Sequence, residues 1–272
     1  MKWENKNDTI ILLNINLQFK DYCIYRENKM DNRLDRQMKV QLSMCDNTSK
    51  MGVLGLFYLV MDLATEHGDA IELGMDRLAE KGLFWVASKT KIKIHRMPRM
   101  LENVTASTWP EEPGRIRCNR FYSVKNDREM LAEGKTEWAI VDKESGRPHR
   151  LAEIYPEGME YCPEVVCEES FAKISTDFEE CDSIGEYKVR SADIDVSQHM
   201  NNVAYIRAAL SAFNVKEIEE MNITDIEAVY RVQCFESEKL CLYMRKEENI
   251  TDIGIVKEDG KTAAVVRFVC GR

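Results

Sequence analysis

Glycine and proline are scarce: 13 and 6 of 272 residues, about 7% together against roughly 12% in average usage. So few breakers exclude collagen-like and low-complexity chains and call for long regular elements. The 9 cysteines form no C-x-x-C pair and combine with none of the 4 histidines at zinc-site spacing. An odd set of unpaired thiols fits a reducing compartment, and the cytoplasm is expected. Basic residues are outnumbered, 38 against 47 acidic, for a net charge of −9. That argues against non-specific nucleic-acid binding, which depends on phosphate neutralisation by Lys and Arg. The longest apolar run, residues 51–61, is about half of what a membrane helix needs, so stable membrane insertion is not expected. Residues 1–20 mix acids with bases, cut their IILL run with Asn14 and Asn16, and lead to no small-residue cleavage site. They do not read as a signal peptide. Met30 and Met38 are alternative starts, and residues 1–36 are expected to be an appendage outside the fold.

What is present is a repeat. Residues 38–44 alternate like a short strand, and a polar loop follows. Residues 51–70, MGVLGLFYLVMDLATEHGDA, are apolar on nearly every side, so the helix they predict must be buried all round. Strand-like runs follow at 83–97, 104–109, 115–124 and 130–142. The pattern then recurs: a short strand at 186–192, a polar loop at 193–198, an apolar helix at 199–214 with Arg207 as its one fixed charge, and strands at 225–235, 239–245, 250–256 and 262–270. No βαβ rhythm is present, which excludes a doubly wound parallel sheet. The expected class is α+β, a double hotdog: two antiparallel sheets, each wrapping a central apolar helix, which side by side could join into one long sheet. The first unit spans residues 37–150, an acidic linker 151–185, and the second unit 186–272.

One segment stands apart, R-S-A-D-I-D-V-S-Q-H-M-N-N-V-A-Y, residues 190–205. It places two Asp, one His and two Asn at the start of the second buried helix. A helix N-terminus offers free N–H groups and a positive dipole end, which suit an oxyanion. Capping explains Ser197 and Asn201 equally well. It does not explain His199, whose imidazole needs a partner when buried, and Asp195 is the nearby candidate. The corresponding loop of the first half, C-D-N-T-S-K, has cap residues but no His.

This run resembles the signature of the acyl-acyl carrier protein thioesterases, D-x-D-x-N-Q-H-V-N-N-V-x-Y. Residues 82–98, G-L-F-W-V-A-S-K-T-K-I-K-I-H-R-M-P, are similar to the family's L-x-W-V-x-x-R-x-x-x-x-x-x-R-Y-P segment. The resemblance extends from about residue 38 to the C-terminus. It implies a double hotdog that hydrolyses acyl-acyl carrier protein to free fatty acid and holo-carrier protein in fatty acid biosynthesis, with no cofactor and no metal. The family's catalytic Asp and His fall on Asp195 and His199. Ser197 stands where the family has Asn. Gln233 stands where it has Glu, and Cys234 matches its Cys. Gln233 has no basic form, so base catalysis rests on Asp195 and His199. Two nucleophiles remain open: a water activated by His199 and Asp195, or Cys234 activated by His199. Asn201, Asn202, Trp85 and Met61 are the expected substrate-binding residues.

The expected partners are acyl carrier protein, as carrier of the thioester, and a second copy of the chain in a homodimer. The alternatives are an acyl-coenzyme A thioesterase of the hotdog group and a non-catalytic acyl-binding hotdog protein. The first half is expected to shape the acyl pocket and the second to supply the catalytic groups. His67 reads as a polar helix end. Lys89, Lys91 and Lys93 read as a solvated strand edge or as a landing site for the acidic carrier.

Overall fold

The computed structural model describes residues 32–271, so most of the predicted appendage lies outside the described residues. Strand β1 is Leu34–Lys39, and a 3-10 turn at Leu42–Met44 leads to helix α1, Val53–Ala70. A short helix α2, Met75–Glu80, precedes β2 (Leu83–Ile94), β3 (Asn103–Pro110), β4 (Cys118–Lys125) and β5 (Met130–Asp142). The order then repeats. It runs β6 (Ser183–Lys188), a 3-10 turn at Ser191–Asp193, α3 (Asn202–Leu210), α4 (Val215–Met221), β7 (Ile223–Tyr230), β8 (Lys239–Glu247), β9 (Ile250–Lys257) and β10 (Thr262–Cys270). Among the described residues no helix is long and apolar enough to cross a membrane.

The ten strands form one antiparallel sheet in the order β1-β3-β4-β5-β2-β7-β10-β9-β8-β6. The two expected sheets are thus joined into one. Each half has the same internal order. The edge that each half leaves open, β2 and β7, pairs with the other over Lys89↔Val229 to Lys93↔Asp225. Pairing two open edges satisfies backbone groups that either half alone would leave unmet. The helices share one core for the same reason. Leu56, Phe57, Leu59 and Leu63 of α1 and Ala204, Ile206 and Ala208 of α3 bury against Ile92, Ile226, Ile255 and Phe268 of one sheet face. Gly55 shows how tightly α1 is seated: a Cβ there would lie 2.2 Å from the Met44 carbonyl oxygen.

Three local expectations are corrected. Residues 34–36, expected outside the fold, begin β1 and pair with Ala106–Thr108 of β3, with Leu34 and Met38 turned to the core. The second helix starts at Asn202 rather than 199, because Ile194 and Met200 close a bridge that keeps His199 in a turn. The expected linker does more than join the halves: Tyr155 packs with Leu73 and Leu78, and residues 162–182 form a strap across the sheet face away from the helices. Trp109 Nε1 donates to the Glu164 carbonyl (2.7 Å), Ala172 N donates to Glu227 (2.7 Å) and Thr262 Oγ1 donates to the Thr176 carbonyl (2.7 Å). Phe178 sits on Gly254, where a Cβ would come within 2.5 Å of the ring. The lysines of β2 lie under this strap, in the middle of the sheet. Lys93 pairs with Glu169 (2.7 Å), Lys91 reaches the Ser170 carbonyl (3.3 Å), and Lys89 sits 5.4 Å from the Phe171 ring centre. They are therefore not a sheet edge.

Candidate active site

The loops leading into α1 and α3 share one hydrogen-bond scaffold. Asp195 N donates to the His199 carbonyl (3.0 Å), and Ser197 N donates to Asp195 Oδ1 (2.8 Å). In the first half, Asp46 N donates to the Lys50 carbonyl (2.9 Å), and Thr48 N donates to Asp46 Oδ1 (2.9 Å). Each loop turns through one left-handed residue, Gln198 at φ 65° and Ser49 at φ 59°. Met200 N is held by the Cys234 carbonyl, and Met51 N by the Pro98 carbonyl, both at 2.8 Å. The same turn thus presents His199 in one half and Lys50 in the other.

Asp193 braces the second loop. It is only 2% exposed. Its carboxylate accepts from Arg190 N (2.9 Å), the Tyr187 hydroxyl (2.9 Å) and Arg207 Nη1 (2.7 Å). Burial, and then Asp193 itself, push the Tyr187 hydroxyl up to about 12, which keeps it a donor. Arg207 also reaches the Tyr58 hydroxyl of α1, so the fixed charge of α3 ties the two helices to the loop. Asn201 caps α3: its Oδ1 accepts from Ala204 N (2.8 Å), and its Nδ2 donates to the Asp193 carbonyl (2.9 Å). The next two amides, Asn202 and Val203, occupy helix positions that have no intrahelical acceptor.

Asp195, Ser197, His199, Asn202, Trp85 and Gln233 line one recess of about 130 Å³. The expected Asp195–His199 side-chain pairing is not formed. Asp195 Oδ1 is on the Ser197 amide, no ion pair joins the two side chains, and the His199 ring rests on Phe235 (centroids 5.1 Å apart, 59° between planes). Lys257 steadies that side, donating to the Gln233 carbonyl (3.1 Å) and to Glu238 (3.0 Å). Cys234 does not line this recess. Its thiol is 0% exposed, and burial pushes it above the usual thiol range. Its amide donates to the Tyr205 hydroxyl (3.1 Å).

Trp85, Asp195, Ser197 and Asn202 also line a second cavity of about 360 Å³. This one extends along α1 past Tyr58, Met61, Ala64 and Gly68 to Leu73, Trp138, Tyr155 and Arg120. Asn201 borders it as well. Trp85 is fixed by its Nε1–H donating to the Leu73 carbonyl (2.9 Å) and by edge contacts with Trp138 and Tyr155. Sequence reasoning missed Asp193, Arg207, Phe235 and Arg120. Asp193 had a signal, as the first Asp of D-x-D. Arg120 had only its place in an alternating strand. Among the described residues no group of His, Cys, Asp and Glu side chains is placed to hold a metal ion.

Comparison with known proteins fits this geometry. Residues 31–158 match the acyl-ACP thioesterase N-terminal domain and residues 176–268 the C-terminal domain. An oleoyl-acyl carrier protein thioesterase of Coriandrum sativum is 25% identical over 194 residues, 65% of this chain and 52% of that protein. A palmitoyl-acyl carrier protein thioesterase of Gossypium hirsutum is 27% identical over 169 residues, 58% of this chain and 40% of that protein. The chain therefore spans about half the length of the curated relatives it matches. Two solved structures share the fold. One is an acyl-ACP thioesterase from Bacteroides thetaiotaomicron (TM-score 0.75, 19% identity, 90% of this chain and 100% of that one). The other is a 12:0-ACP thioesterase from Umbellularia californica (TM-score 0.76, 15% identity, 90% and 98%). With both of its domains matched in order, the chain belongs to the acyl-ACP thioesterase family.

Proposed function

We propose that this chain hydrolyses acyl-acyl carrier protein, releasing free fatty acid and the carrier thiol in fatty acid biosynthesis. The observation that carries the reading is the shared wall of Trp85, Asp195, Ser197 and Asn202 between the His199 recess and the cavity along α1. A thioester carbonyl placed at that wall has its acyl chain on one side and an imidazole on the other. The two five-stranded halves are read as two hotdog units, the first supplying most of the acyl cavity and the second the reacting groups.

In this mechanism water is the nucleophile. His199 takes one of its protons as the oxygen adds to the thioester carbon. Asp195 Oδ2, free of the turn that engages Oδ1, and the Gln233 amide orient that water. The amides of Asn202 and Val203 hold the developing oxyanion. Collapse of the tetrahedral intermediate breaks the C–S bond, and His199 returns the proton to the departing sulfur. The covalent alternative through Cys234 needs an accessible thiolate with a positive neighbour, and the buried thiol does not support it. All eight cysteines among the described residues are free, which supports action in a reducing cytoplasm. A homodimer in solution is part of the same proposal, to be read from the native mass. The deciding experiment compares turnover of one acyl group on carrier protein and on coenzyme A. Hydrolysis of the carrier-bound form is expected. Preference for coenzyme A overturns the substrate, and binding without turnover overturns the catalysis.

A further inference from the structure

We infer that the acyl cavity accepts a chain bearing an oxygen function on its distal part, a hydroxyl, oxo or carboxylate group, which Arg120 binds. The inference rests on the acyl-thioester reading of the cavity. Arg120 is only 8% exposed and lines the cavity of about 360 Å³. Among the described residues its guanidinium makes two hydrogen bonds, both through Nη1: to His67 Nδ1 (2.8 Å) and to Thr108 Oγ1 (3.4 Å). No carboxylate among them forms an ion pair with it. Arginine has five N–H donors and stays charged at every working pH. Donors therefore remain for a guest.

Around Trp85, Trp138, Leu73 and Met61 the cavity is apolar, which suits methylene groups. A hydrocarbon end laid against the guanidinium would strip its water and return nothing. An oxygen acceptor at the same place makes a charge-assisted hydrogen bond instead. The neighbouring Tyr155 hydroxyl is already engaged with Cys118 Sγ (3.0 Å). Arg120 lines this cavity but not the recess that holds His199. The group that meets Arg120 is thus a different one from the thioester at the shared wall.

The test uses carrier protein loaded with pairs of acyl chains of equal length, one saturated and one carrying a terminal hydroxyl or oxo group. Wild-type protein and Arg120→Met are compared by kcat/KM, and binding of the matching free acids is followed by calorimetry. The wild type should favour the oxygenated member by at least about tenfold, the scale of a hydrogen bond to a charged group. Arg120→Met should bring the ratio to about one. Equal use of the pair by the wild type overturns the inference. So does an Arg120→Met variant that changes both members in parallel, which would make Arg120 a length stop only. Should Arg120→Met fail to fold, Arg120→Lys keeps the charge and should keep the preference, and its loss there counts against the inference. If no thioester is hydrolysed, the catalytic reading fails by itself. Calorimetry still decides the role of Arg120: tighter wild-type binding of the oxygenated acid supports it, and equal binding of both acids overturns it.

Discussion

Asp46 and Asp195 hold the same turn. Each accepts the amide two residues on through Oδ1, at 2.9 and 2.8 Å, and each donates its own amide to the carbonyl four residues on. The carboxylate of Asp195 is therefore part of the scaffold first, and His199 stands where Lys50 stands in the first half.

That equivalence gives an internal control. An Asn at either position can still accept the turn amide. Asp195→Asn should leave thermal unfolding near wild type and lower kcat at least about a hundredfold, the scale of lost acid–base assistance. Asp46→Asn should leave both unchanged. Equal effects of the two substitutions on kcat would assign Asp195 to the scaffold alone.

Cys234 should behave as a buried thiol. In the folded protein it should resist iodoacetamide at neutral pH, and it should react at the ordinary rate once denatured, as peptide mass spectrometry reads. Cys234→Ala should keep most of the activity. A trapped acyl group on Cys234, or loss of activity as deep as in His199→Ala with the fold intact, would restore the covalent route.

Met61 lines the cavity along α1. Met61→Trp should shorten the preferred acyl chain and leave hydrolysis of the shortest substrates within about threefold of wild type, since side-chain volume in an apolar pocket tunes rather than abolishes binding. A uniform loss across all lengths would move Met61 from the chain's path to the reacting centre.

Acid should attack the far side of the sheet. Asp252, 2% exposed, accepts from Arg267 (2.6 and 2.9 Å) and Arg245 (2.8 Å). Burial opposes its charge, but the two guanidinium groups prevail and hold its carboxyl below the usual range. A lowered folded-state value stabilises the protein above the unfolded value, near pH 4, and that stability is lost as the pH falls below it. Asp252→Asn should cost about 3–5 kcal/mol at neutral pH by leaving two arginines unpaired. It should also flatten the acid limb of urea denaturation measured against pH.

Features written within short stretches of chain follow from the residues alone. The apolar faces of residues 51–70 and 199–214 demand buried helices, and the alternating runs demand strands. D-I-D-V-S-Q-H carries its own turn chemistry, so the site loop is legible in the amino-acid order. Features that join residues far apart in the chain are settled only when the chain folds. Nothing local tells β2 which edge it will meet, so its pairing with β7 over Lys89 to Lys93 is made only in the folded chain. Lys93 reads as part of a solvated edge, yet it sits in mid-sheet and pairs with Glu169, 76 residues on. Arg120 is one charged residue in a strand until His67, 53 residues earlier, meets it beside an apolar cavity. Periodicity and turns are set by neighbours along the backbone. Edge pairing, burial of a thiol and the lining of a cavity are set by which distant surfaces close on one another.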